Sequence, residues 1–280
     1  MDRSAGPGED LVAGEDSPQP LRQGGPDEQY PENEQLGEHF QVGGVERSLP
    51  DALQLDQLVS YIESTYDSSA PNYLALLPDR ITHASMLMLG SAVDHTMPGV
   101  AYAGAVDVQT SEWGQVFVPS EPTGAWAVTL YAGPDTARDY AWRPDVAAAA
   151  ELSGVTIIDV DNPLDAAAVE AALAHAADES GSAAAVWAFG ETAPLVPEGA
   201  GAYALTFPTG VPAHARQGAV LVQVATRDEV ATPPEISGVA EYHSTHYIAT
   251  PAESRRRVRD VAEFLRATSA PSSSANRRLP

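Results

Sequence analysis

Residues 183–194 read Ala-Ala-Ala-Val-Trp-Ala-Phe-Gly-Glu-Thr-Ala-Pro, an apolar run that stops in a short polar turn. Small and apolar side chains bounded by Gly190 and Pro194 predict a buried strand rather than a helix. The turn Gly190-Glu191-Thr192-Ala193-Pro194 places a hydroxyl just beyond the strand end. Such a hydroxyl is a candidate nucleophile when a base and an orienting acid arrive from elsewhere in the chain. In the competing reading, the Thr192 hydroxyl bonds a backbone group of its own turn.

Working outward, the same signature recurs. Segments 125–130 and 155–160 are apolar and strand-like, and the Ala-rich segments 143–153 and 164–177 read as helices, the first closed by Gly154. Short strands are expected over 105–108 and 115–119, around the turn Ser111-Glu112-Trp113-Gly114. Downstream, 202–207, 219–225 and 240–243 are expected strands, followed by a helix over 251–267. That helix carries Val258, Val261, Phe264 and Leu265 on one face. Its Arg255, Arg256, Arg257 and Arg259 are expected on a solvated face, a phosphate site being the alternative. Apolar strands alternating with helices predict an α/β fold, a mostly parallel sheet with helices on both faces. Functional groups in such sheets collect at the carboxyl ends of the strands. Here those ends are the loops 131–134, 190–194, 226–230 and 244–247.

The flanking regions differ. Residues 1–48 are rich in Gly, Pro, Gln, Asp and Glu and are expected to form a disordered acidic tail. Residues 49–99 form a helical N-terminal segment, with Asp51 as cap and Leu55, Leu58, Val59 and Ile62 at helical spacing. The run Met86-Leu87-Met88-Leu89 is expected in the core, the alternative being a membrane or substrate surface. The α/β domain is expected over 100–268, and 269–280 form a second disordered tail.

Composition excludes several classes. A formal net charge of −24 over 280 residues argues against nucleic acid and anionic membrane as partners. With no cysteine, there is no disulfide, no thiolate nucleophile and no Cys-ligated metal. His243 and His246 lack a third ligand at motif spacing, and no Gly-rich phosphate loop occurs, so no metal and no cofactor are expected. A cytoplasmic location is expected from the lack of cysteine, of a signal pattern and of a bilayer-length apolar run, a cysteine-free exported protein being the alternative. The sequence does not address oligomeric state.

The four loops together resemble the α/β-hydrolases, in their esterase and lipase branch. Gly190-Glu191-Thr192-Ala193-Pro194 is similar to that family's nucleophile elbow, with Thr for Ser and Pro for the closing Gly. Val224-Ala225-Thr226-Arg227-Asp228-Glu229 resembles its acid-bearing turn, and Ser244-Thr245-His246-Tyr247 its histidine loop; His243 is the nearby substitute. The order nucleophile, acid, histidine is the family's. Tyr131-Ala132-Gly133-Pro134 stands where the family has its oxyanion loop. The resemblance implies a Thr192–His246–Asp228 triad, with Tyr131, Ala132, Gly133 and Ala193 around the oxyanion. It implies hydrolysis of small acyl esters or, with the elbow degenerate, binding of a small ligand or a protein partner without catalysis. Only about ten residues separate Thr192 from the next strand, too few for the full helix that follows the family's elbow.

Overall fold

The computed structural model describes residues 49–90, 94–102 and 104–269. Both expected tails lie outside the described residues, except Ser269, which ends the last helix.

Eight strands form one sheet: β1 (Asp107–Thr110), β2 (Gly114–Val118), β3 (Trp126–Leu130), β4 (Thr156–Val160), β5 (Ala185–Phe189), β6 (Ala202–Thr206), β7 (Ala219–Ala225) and β8 (Ala240–Tyr242). Their spatial order is β1-β2-β4-β3-β5-β6-β7-β8. β1 and β2 run antiparallel to their neighbours, and every pairing from β4 to β8 is parallel. The expected mostly parallel sheet is therefore present. The order reverses at β3: the chain goes to β4 on one side, then returns to β5 on the other. Such a reversal opens a crevice at the carboxyl ends of the two central strands, here β3 and β5.

Strand alternation divides the core. Val128, Leu130, Ile158, Val186 and Leu205 point to one face, where they pack on α6 (Ala166–Ser180) through Val169, Ala172 and Leu173. Ala127, Ile157, Trp187 and Ala204 point to the other. That face is covered by α5 (Arg143–Ser153) and α7 (Pro251–Ser269) through Val146, Ala149, Val258, Val261 and Leu265. Gly154 and Gly181 end α5 and α6 in left-handed conformations (φ 73° and 64°), which glycine adopts without a Cβ clash.

Polar groups also cross the interior. Trp187 Nε1 donates to Thr206 Oγ1 (2.9 Å), Thr206 to Gln223 Oε1 (2.6 Å), and Gln223 Nε2 to the Tyr242 hydroxyl (2.8 Å). This chain links β5, β6, β7 and β8 beneath α7. Asp159, fully buried on β4, accepts from Thr129 (3.0 Å), Trp142 Nε1 (3.0 Å) and Arg143 Nε (2.9 Å). Each buried polar atom in these sets thus has a partner, which removes most of its desolvation penalty.

Helices α1 (Asp51–Thr65) and α2 (Leu77–Met88) enclose a smaller core of Leu55, Leu58, Val59, Ile62, Leu77 and Ile81, which Ile248 joins from the loop before α7. Asp51 is the first helical residue and makes no side-chain cap; Pro50 holds the cap position. A short helix α3 (Pro98–Ala101) and the single turn α4 (Asp135–Ala137), followed by a π-helical turn (Arg138–Trp142), complete the elements near the crevice.

Two expectations are corrected. Met86, Leu87 and Met88 are exposed and only Leu89 is buried, because α2 turns its Leu77, Ile81, Ala84 and Ser85 inward. The arginines of α7 form a solvated face only in part: Arg259 is exposed and Arg256 half-exposed, whereas the Arg255 and Arg257 side chains are each 13% exposed. Arg257 binds Asp145 (2.6 Å), Arg256 binds Glu253 (2.7 Å), Arg255 binds Asp94 (3.2 Å) and Arg259 binds the Tyr102 hydroxyl (2.9 Å). No helix among the described residues is long and apolar enough to cross a membrane.

Candidate functional site: a histidine–aspartate pair facing a glycine

Three loops converge at the crevice. After β7, Arg227 N–H donates to the Ser244 carbonyl (3.0 Å), which holds the acid-bearing turn against the histidine loop. His246 Nδ1 lies 3.0 Å from Asp228 Oδ1 and 3.1 Å from Oδ2. The side chains are 2% and 3% exposed, so the pair is out of bulk water. Val230 N–H (2.9 Å) and Ala231 N–H (2.6 Å) also donate to Asp228 Oδ1, and Glu229 Oε2 accepts the His246 backbone N–H (2.9 Å). Asp228 thus fixes the imidazole at Nδ1, and Glu229 fixes the backbone that carries it. The hydrogen-bond pattern assigns the ring proton to Nδ1, which leaves the Nε2 lone pair as acceptor. Nε2 has no protein partner among the described residues. The ring is packed edge-on against Phe189 (5.0 Å) and Tyr247 (4.6 Å), with Phe207 at 5.9 Å.

Opposite Nε2 stands Gly190. It follows directly on β5, with φ +58°, and a Cβ built on it would lie 3.2 Å from His246 Nε2. His246 Cε1 lies 3.6 Å from the same point, so a side chain at this position would stand against the ring edge. The apex of the elbow is this glycine and not Thr192. The expectation for Thr192 is corrected accordingly. Its hydroxyl is fully buried and lies 2.8 Å from the carbonyls of both Leu130 and Phe189, which share its one proton, while accepting the Phe189 N–H (3.2 Å). It pins the end of β5 to the end of β3 and makes no hydrogen bond to His246. Gly190–Leu195 is a 3-10 helix, and no longer helix precedes β6, in agreement with the short spacing.

The expected oxyanion residues separate. Ala193 is fully buried in the core on the α6 side of the sheet. Ala132 and Gly133 line a different cavity, with Arg138, Asp161 and Asn162. Tyr131 alone reaches the His246 side. Its ring stacks on Trp142 (5.4 Å, 13°), and its hydroxyl covers Gly133, where a Cβ would come within 2.2 Å of it. Gly133 is thus required for close approach. Burial pushes the Tyr131 phenol up to about 12, so it keeps its proton through the neutral range. Burial also raises the Tyr247 phenol, with the carboxylates of Glu229, Glu191 and Asp228 adding to the effect.

A cavity of about 290 Å³ opens in front of the pair. Its walls include Leu77, Ile81, Met97, Phe189 and Phe207, with the phenols of Tyr131 and Tyr247 and the Arg257–Asp145 ion pair at its edge. Phe207 is the single non-glycine residue among those described with positive φ (49°), a conformation disfavoured for an aromatic residue and held here by packing against Phe189, Tyr242 and His246. No three metal-ligating side chains gather among the described residues. His243, the alternative histidine, instead donates its backbone N–H to Glu253 (2.9 Å).

Sequence reading missed Gly190, Tyr247 and Phe207. The signal for Gly190 lay in the strand end: the residue directly after Phe189 takes the apex, and matching glycine to glycine in the motif shifted the elbow by two residues.

Strand order and strand direction are those of an α/β-hydrolase fold. No family model matches the chain, and no curated protein of similar sequence is found. Solved structures with a similar fold include an arylesterase, 11% identical over 78% of this chain and 98% of that one, TM-score 0.48. A hyperthermophilic esterase from the archaeon Pyrobaculum calidifontis is 14% identical over 80% and 99%, TM-score 0.46. Esterase LipW from Mycobacterium marinum is 14% identical over 79% and 98%, TM-score 0.47. These are likenesses of fold, and the chemistry below rests on this chain's own residues.

Proposed function

We propose that this protein binds a small, largely apolar ligand in the cavity beside His246 and forms no acyl-enzyme. One observation carries the reading: the position facing His246 Nε2 is Gly190, which has no side chain to attack a carbonyl. Covalent hydrolysis needs a hydroxyl or thiol within hydrogen-bond reach of the base. Thr192 spends its hydroxyl on the backbone of β3 and β5. The apolar walls and the volume, at the lower end of the usual range for ligand pockets, favour a compact ligand.

A serine-directed fluorophosphonate probe tests this. Wild type is expected to remain unlabelled, and Gly190→Ser, which places a hydroxyl against His246, is expected to take the label. Labelling of wild type that disappears in Thr192→Ala would overturn the reading and restore a threonine nucleophile.

A further inference from the structure

We infer that the site removes a proton from the carbon next to the carbonyl of a small, largely apolar carbonyl compound, with His246 Nε2 as base and the hydroxyls of Tyr131 and Tyr247 holding the carbonyl oxygen. The inference rests on the binding reading above and adds a reaction to it.

Three observations converge on it. His246 Nε2 is a lone-pair acceptor without a protein donor among the described residues, yet Asp228 holds the ring at Nδ1 and Glu229 holds its backbone N–H. A buried histidine–carboxylate pair is costly to maintain, and its geometry is that of a base. A Cβ on Gly190 would meet the Nε2 edge of the ring, so no nucleophilic side chain of that residue stands against the base. Two phenols line the same cavity, and neither hydroxyl has a hydrogen-bond partner among the described residues. Both rings flank Phe189, with centroids 5.7 Å and 6.4 Å from it. Protonated phenols are donors suited to an oxygen that gains negative charge.

Attack by water fits less well. The Ala132–Gly133 segment, which would supply backbone donors to a tetrahedral oxyanion, lines the other cavity. The walls around Nε2 are mainly aromatic and aliphatic, which suits a C–H acid held directly against the base.

In the step, the C–H bond breaks and its proton passes to Nε2, while Nδ1 keeps its own proton and donates it to the Asp228 carboxylate. The C–H electron pair becomes the C=C bond of an enolate, and the carbonyl π pair moves to oxygen, where the phenol hydrogens hold it. Return of a proton from Nε2 to carbon regenerates the ketone. No oxidant, reductant or cofactor enters the balance.

The test uses the full chain in heavy water with β-tetralone as probe. Deuterium incorporation next to the carbonyl is followed by NMR, and binding of the same ketone by saturation transfer. Wild type is expected to bind and to catalyse exchange in proportion to its concentration. His246→Gln is expected to lower the exchange rate on the order of 10²–10⁴-fold while binding persists. Tyr131→Phe keeps the ring stack on Trp142 and is expected to lower exchange on the order of 10²-fold; it supplies the second arm if His246→Gln does not fold. Binding without exchange, or exchange untouched by both substitutions, overturns the inference and leaves the binding reading standing. Absence of both binding and exchange overturns the two together.

Discussion

Thr192 shows how a hydroxyl becomes structural. Buried between two strand ends, it satisfies the Phe189 N–H and shares its one proton between carbonyls on β3 and β5. Thr192→Val keeps the shape and removes those bonds, so unfolding in urea should show a loss of about 1–3 kcal/mol, and Thr192→Ser should recover most of it. Substantial loss in Thr192→Ser alone would point to the methyl group instead. At this scale, Asp228 and His246 were legible because each sits in a loop just past an apolar strand, in an order few other arrangements share. Gly190 was not, because a glycine after a strand reads as punctuation unless the third dimension shows what faces it. Arg257 was misread for a related reason: a run of arginines on a helix looks solvated, and its partner Asp145 lies 112 residues away.

Among the elements, α5 was legible because Gly154 closes it, and the strands because their apolar runs are short and bounded. The inward face of α2 was harder, since Met and Leu occur on both sides of that helix and its period gives the stripe but not its partner. The Trp187–Thr206–Gln223–Tyr242 chain was invisible in sequence, its members being 17 to 19 residues apart on separate strands. It ties four strands to each other, and Gln223 Nε2 adds a bond to the Arg257 carbonyl of α7 (3.0 Å). Gln223→Met, similar in volume, leaves the Thr206 and Tyr242 hydroxyls short of a partner. A loss of about 1–3 kcal/mol is expected in the denaturation midpoint, with the slope unchanged. A changed slope would mean that the sheet itself had loosened.

Across the whole described molecule, two cores of unequal size meet at the crevice. The sheet has helices on both faces, whereas α1 and α2 share a small core that Ile248 joins, and Asp56 of α1 pairs with Arg227. Half-exposed ion pairs contribute little. Amide hydrogen exchange should therefore show α1 and α2 opening at lower free energy than β3, β5 and β6, with protection rising when a ligand fills the cavity that Leu77 and Ile81 line. Equal protection throughout would make the molecule one cooperative unit. The left-handed turn at Gly190 has a consequence for the balance between robustness and reactivity. A side-chain-bearing residue held at that φ stores about 1–3 kcal/mol of backbone tension, and glycine stores none. The chain thus holds this bend in relaxed form. A nucleophile introduced at this position would trade thermal endurance for chemical bite, and the present sequence stands at the enduring end of that exchange.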